Sequence, residues 1–206
     1  MELKHSKSRL EGFSDAVFAF AATLLVVSLE VPETFSVLKE QLFGYIPFSI
    51  SFLVLILVWK IHYNYFRRID KLDNWIIGLN MLMTFTMLFF VYPLKFLINL
   101  NFNSKLTITS VELAELFQLY SMGFLLLSLS ISLLYVRSSK IEIGEEKVRM
   151  LKYYARHFGI FVFVSLLSFV FASFKVGMQF GFPGMVFFLL GPLSAWHRVK
   201  MGYEKS

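Results

Sequence analysis

The side chains that could do chemistry in this sequence stand inside long apolar runs. They are Ser14, Asp15 and Thr23 in the first run, Trp59 and His62 in the second, and Asn80 in the third. A polar group at membrane depth is costly, which makes each of them a functional candidate by default. The plainer role for such groups is to join helices through hydrogen bonds. A carboxylate and an imidazole, Asp15 and His62, have the chemistry of a proton relay, and a hydroxyl such as Thr23 can offer its oxygen to a cation. Catalysis asks for more, a nucleophile or metal beside an acid or base. The four histidines, His5, His62, His157 and His197, have no metal-binding spacing, and cysteine is absent, which removes disulfides, thiolate catalysis and Cys-based metal sites. The sequence therefore does not read as an enzyme, and no cofactor or bound metal is expected.

Spacing groups these residues further. Asp15 follows Arg9 by about one and a half helical turns. An acid near a helix N-terminus is favoured by the dipole, and Ser14 can satisfy free amides there, so a cap and interface anchor is one reading of the pair. Phe20, Thr23 and Val27 fall at i, i+3 and i+7 and share a helix face, with Ala16 and Leu24 flanking it. That face either lines something or packs on another helix, with Thr23 bonded to its own backbone. Trp59 and His62 are three apart and point one way. A buried amide needs partners, so Asn80, Ser14, Asp15, Trp59 and His62 are expected to form one network in one half of the membrane.

The elements that must position them are transmembrane helices. Of the 206 residues, 57% are hydrophobic and only 17% charged, against about 25% charged in an ordinary soluble domain. Runs of ~20 apolar residues match the bilayer core at helical rise, and in lipid the backbone must bond to itself. The runs are continuous rather than alternating, which excludes a β-barrel. Six spans are expected, roughly Phe13–Val31, Tyr45–Phe66, Trp75–Leu97, Val111–Val136, Tyr153–Phe174 and Met178–Trp196. Asp73 or Asn74 is the expected cap of the third. The sixth holds Pro183, Gly184, Gly191 and Pro192 and should kink. The stretch Arg137–Lys152 reads as the longest joint, a solvated loop. The first run is too long for a signal-peptide core and is followed by Glu30, Pro32 and Glu33 rather than a cleavage site, so it is read as a retained span.

The net charge of +6 would suggest nucleic acid in a soluble protein. Here the bases sit in the joints, and no nucleic-acid partner is expected. Fifteen Lys and Arg residues fall on one side of the six-span arrangement and four on the other. The positive-inside rule then places both termini in the cytoplasm of a multi-pass cell-membrane protein, with the lipid bilayer as its partner.

Arg9, Phe13, Ser14 and Asp15 together form an Arg-x-x-x-Phe-Ser-Asp sequence at the start of a first membrane helix. This resembles the signature of the transmembrane protein 175 family, potassium channels of bacterial membranes and of animal endosomes and lysosomes. Trp59-x-x-His62 with the trailing Phe66-Arg67 resembles that family's second helix, and Asn80 and Pro93 resemble its third.

The resemblance implies an all-α integral membrane protein with six transmembrane helices per subunit, residues 1–206 forming one channel domain. It implies a homotetramer with potassium as the permeant ion and a pore lined by the first helix. By the same resemblance Phe20 holds the hydrophobic constriction, Thr23 the polar layer beyond it and Val27 the next apolar ring, with Leu24 beside the lining. Arg9, Phe13, Ser14, Asp15, Trp59, His62 and Asn80 would fix the helices rather than bind the ion. Phe20 departs from the usual Leu or Ile, which keeps a proton-conducting or nonconducting protein of the same fold as the alternative. The sequence has no Thr-Val-Gly-Tyr-Gly loop, in keeping with a filter unlike that of ordinary potassium channels.

Overall fold

The computed structural model describes residues 6–27, 33–41, 45–102 and 108–201. Its elements are helices: α1 (Lys7–Val27), α2 (Phe35–Gln41), α3 (Tyr45–Arg68), α4 (Asn74–Phe102), α5 (Ser110–Ile141), α6 (Glu145–Ser173), α7 (Phe182–Met185) and α8 (Leu190–Met201). Five of them, α1, α3, α4, α5 and α6, are long and apolar enough to cross a membrane. The sixth crossing segment is broken. Two 3₁₀ turns, Met178–Phe180 and Val186–Leu189, flank the single turn of α7 before α8 begins. The expected kink is thus a run of short pieces. Gly177 and Gly181 both have φ of +63° there, and a Cβ on Gly177 would sit 2.7 Å from that of Phe182. Glycine at 177 is therefore demanded twice, by backbone and by space.

The other boundaries also shift. α1 starts two turns before Phe13, because a helix needs only backbone bonds and can run into the polar Lys7–Gly12 stretch; residues 28–31 of the expected span lie outside those described. Ser14 consequently is not a cap. It stands inside α1 and donates to the Leu10 carbonyl at 2.9 Å. Asp73 does cap α4, its Oδ1 accepting from Ile76 N–H at 2.9 Å. Arg137–Lys152 is a hairpin and not a loop: α5 runs on to Ile141, α6 begins at Glu145, and only three residues join them. Acids at Glu145 and Glu146 occupy α6's first turn, where the dipole favours them.

α1 packs on α3 and α4, α4 on α5, α5 along most of α6, and α6 on α8. The core between them is aromatic and aliphatic, centred on fully buried Tyr65, Phe66, Phe90, Tyr135 and Leu134. Small polar groups stitch it. Ser121 and Ser168 lie 2.7 Å apart, and Ser168 donates to the Pro183 carbonyl at 2.8 Å.

Candidate functional site: the first helix and its support

α1 has two faces of different character. Leu10, Ser14, Phe18, Ala21 and Leu25 are buried, a stripe at spacings of four, four, three and four that fits one side of a helix. The opposite side carries Phe20, Thr23 and Val27, with Leu24 half-buried at its margin. Phe20 is 56% and Val27 71% exposed, and Phe13 below them is 51% exposed. An apolar face of this kind on a helix already packed on its other side is free to face lipid or another subunit. Thr23 donates to the Ala19 carbonyl at 3.0 Å. A hydroxyl has one hydrogen and two lone pairs, so this bond consumes the donor and leaves acceptors for whatever lies opposite.

Behind the buried stripe, three helices meet through Asn80. Its Nδ2 donates to Ser14 Oγ at 2.8 Å, and its Oδ1 lies 2.9 Å from His62 Nε2. All three residues are at most 2% exposed. Ser14 then passes its own hydrogen to Leu10, so the run from α3 through α4 to α1 is satisfied at each step. The Asn80 carbonyl oxygen needs a hydrogen from His62, which fixes the proton on Nε2. Phe18 and Phe66 close over the imidazole, with ring centroids 5.5 and 4.7 Å away.

Asp15 belongs to a separate pair. Its Oδ1 accepts from the Trp59 indole at 2.8 Å in an exposed setting. The expected single network is therefore two. Arg9 is exposed, and among the described residues it makes no ion pair with Asp15; Phe13 is exposed as well. His157 and His197 lie elsewhere, with ring centroids 6.0 Å apart between α6 and α8. No group of three His, Asp or Glu side chains among the described residues could hold a metal ion.

One cluster was not foreseen from the sequence. At the end of the bundle where α1 begins, Glu142 accepts from the backbone N–H groups of Asp70 and Lys71 at 2.5 and 2.8 Å and pairs with Lys147 at 2.9 Å. Asp73 pairs with Arg137, Lys7 donates to the Ile69 carbonyl at 2.7 Å, and Arg68 bonds the hydroxyls of Tyr135 and Tyr154 at 3.0 Å each. The α3–α4 joint is thereby clamped to the α5–α6 hairpin. The signal was present as acids scattered among many bases, but spacing alone could not pair residues some seventy positions apart. Burial pushes the Glu142 carboxyl up; the Lys71 and Asp70 amides and the Lys147 ammonium outweigh it and hold the group below its ordinary value.

Fold and site together define a multi-pass helical membrane protein that braces one face of its first helix and leaves the other open. Residues 9–93 match the family model described as Endosomal/lysosomal potassium channel TMEM175, a stretch that takes in nearly all of α1, then α2, α3 and most of α4. A Marivirga tractuosa protein named potassium channel is 46% identical over 91 residues, which are 44% of this chain and 37% of that relative. The match thus spans well under half of that relative's length. A crystal structure of a variant of the potassium channel MtTMEM175, bound to a Nanobody-MBP fusion protein, superposes with a TM-score of 0.81 at 29% identity, covering 95% of this chain and 94% of that one. A lysosomal potassium-selective TMEM175 homolog from Chamaesiphon minutus gives 0.58 at 23% identity, covering 89% and 97%, a likeness of fold alone.

Proposed function

We propose that the protein is a potassium-conducting channel, a homotetramer whose pore is lined by α1 from each subunit. The observation that carries the reading is the exposed Phe20–Thr23–Val27 face, set opposite the stripe that binds α1 to its own subunit. Four copies of that face around an axis would give an apolar constriction at Phe20, acceptor oxygens at Thr23 and a second apolar ring at Val27. A ring of apolar side chains excludes ions by dewetting, and the hydroxyls give a partly dehydrated cation polar contacts. The Ser14–Asn80–His62 run and the Asp15–Trp59 pair set the rotation and depth of α1 without touching the ion. Residues 1–206 act as one channel domain, with both termini in the cytoplasm of the cell membrane.

The names of the relatives agree with potassium as the permeant. The proton alternative would route through Asp15 and His62, but among the described residues no hydrogen bond links them, and the Trp59 indole bonded to Asp15 is a donor only. Planar-bilayer recordings of the purified protein in separate potassium, sodium and proton gradients test the proposal. Currents reversing near the potassium equilibrium potential support it. Currents that follow the proton gradient, or none at all, refute it.

A further inference from the structure

The last helix is anchored on the bundle through an imidazole. Among the described residues His197 is the one buried side chain of α8. Its ring centroid lies 4.7 Å from that of Tyr153 and 6.0 Å from that of His157, both on α6. Phe161 lies 5.2 Å from His157. These rings close the α6–α8 seam.

Neither histidine is served as His62 is, with the Asn80 oxygen 2.9 Å away. Both nitrogens of His197 and Nδ1 of His157 are buried with no hydrogen-bond partner. An imidazolium carries a hydrogen on each ring nitrogen, and the docked His197 has no acceptor for either. The charges that act on the pair are Arg156 and Arg198, both positive. Arg149, Lys152 and Lys200 are further cations on the same two helices, all exposed. Opposite this part of α6, α5 presents Ser132, which donates to the Ala155 carbonyl at 2.9 Å. The next charge along α5, Arg137, pairs with Asp73.

No acid among the described residues offsets these cations. Asp70 and Glu142 pair with Lys147. Glu145 and Glu146 stand twelve and eleven residues before His157, about 16–18 Å along α6. Glu11 and Asp15 belong to α1, which packs on α3 and α4. Glu33, Glu112 and Glu115 belong to the opposite end of the bundle. The face of Tyr153 attracts a cation, but weakly beside the cost of taking an ion out of water.

We propose that α8 is docked by neutral His157 and His197 and is released from α6 when acid charges them, a proton-operated switch at the end of the chain. A charged imidazole recovers its hydration only when α8 lifts away. The undocked state therefore binds more protons, and docking weakens as pH falls. It is at full strength above about pH 6.5, the ordinary value of an exposed histidine, and loses about tenfold per pH unit below that for each ring that must charge. α8 opens as a local unit, and the melting of the α1–α6 core stays as it is. The switch does not depend on conduction.

Hydrogen–deuterium exchange of the purified full chain at pH 7.5 and 5.5, read by mass spectrometry and corrected for the intrinsic pH dependence of amide exchange, tests it. Protection of peptides from residues 190–201 should fall between about tenfold and about a hundredfold at pH 5.5, for one or both rings charged. Peptides from residues 121–135 of α5 should keep theirs. The double variant His157→Phe and His197→Phe retains neutral rings of similar size, so α8 should stay protected at both pH values. Each single variant should keep no more than the tenfold step of the remaining histidine. Unchanged α8 protection in the parent at pH 5.5 would overturn the proposal, as would an equal loss in α5, which means general unfolding. An acid response that survives in the double variant overturns it as well. So does loss of α8 protection in that variant at pH 7.5, since neutral rings are then not what holds the helix.

Discussion

Asn80 donates to Ser14 across 2.8 Å while both side chains are fully buried, so the amide on α4 sets the rotation of α1. Inside a bundle that bond has no water to fall back on. Ser14→Ala should therefore leave the Asn80 amide unsatisfied and cost about 1–3 kcal/mol. Asn80→Leu strands the His62 Nε2–H and takes from Ser14 the donor it accepts from, although Ser14 still donates to Leu10; it should cost more. Thermal unfolding in detergent checks the order. Equal stability of Asn80→Leu and the parent would mean that packing, not this hydrogen bond, sets the α1 rotation.

The Asp15–Trp59 bond is the milder of the two connections. A strong effect of removing Asp15 presupposes a deeply buried charge, and within the subunit this one is exposed. Asp15→Asn keeps an acceptor for the indole and should change monomer stability by less than about 1 kcal/mol. Trp59→Phe should act alike. Should Asp15→Asn abolish the oligomer on size-exclusion chromatography with subunit melting unchanged, the carboxylate is buried between subunits instead.

Glu142 makes the clamp pH-dependent. Its folded pKa lies below the ordinary 4.5. For a depressed carboxyl the stabilisation is fully present above the unfolded value and is lost as pH falls through the folded one. The melting temperature should hold from neutrality to about pH 5 and then drop. Glu142→Gln keeps an oxygen for the Asp70 and Lys71 amides but loses the Lys147 ion pair. It should start lower at pH 7 and fall less on acidification. Parallel curves for the two proteins would remove Glu142 from the account.

The absence of cysteine allows a clean test of topology. Glu145→Cys and Gln179→Cys place single thiols at exposed positions near opposite ends of α6 and the segment that follows it. A membrane-impermeant maleimide applied to intact cells should label Gln179→Cys and spare Glu145→Cys. Labelling of both from outside would contradict the cytoplasmic assignment of the basic end.

What the sequence made legible follows from solvent physics. Buried polar residues are conspicuous in apolar runs, so Ser14, His62 and Asn80 could be grouped before any coordinates, as could Asp15 with Trp59. That they form two sets depends on side-chain direction, which a hundred degrees per residue fixes only once the α1–α3 contact is known. The α6 start was hidden because a helix continuing past the membrane carries charge on its solvent side, and Glu145–Lys152, with five charged residues in eight, reads by composition as a joint although Leu151 is buried. The broken last segment was half-legible: Pro183, Gly184, Gly191 and Pro192 announce irregularity but not its form.

Phe20 and Thr23 are one turn apart and both exposed within the subunit, so substitution at either should leave the subunit fold intact. Phe20→Ala removes the widest apolar obstruction from the proposed axis. Since an apolar ring blocks ions by giving nothing in return for lost hydration, the variant should raise potassium flux into liposomes and weaken closure. Thr23→Val keeps the shape and removes the hydroxyl. The lost bond to the Ala19 carbonyl is an extra bond to a group the helix already satisfies, so stability should hardly move. Discrimination of potassium from sodium should fall, read as a shift of the bi-ionic reversal potential toward zero. The two variants thus separate how much passes from what passes. If Phe20→Ala leaves flux unchanged and a substitution on another helix opens the pathway, α1 does not line the pore, and its open face packs against lipid or a partner helix instead.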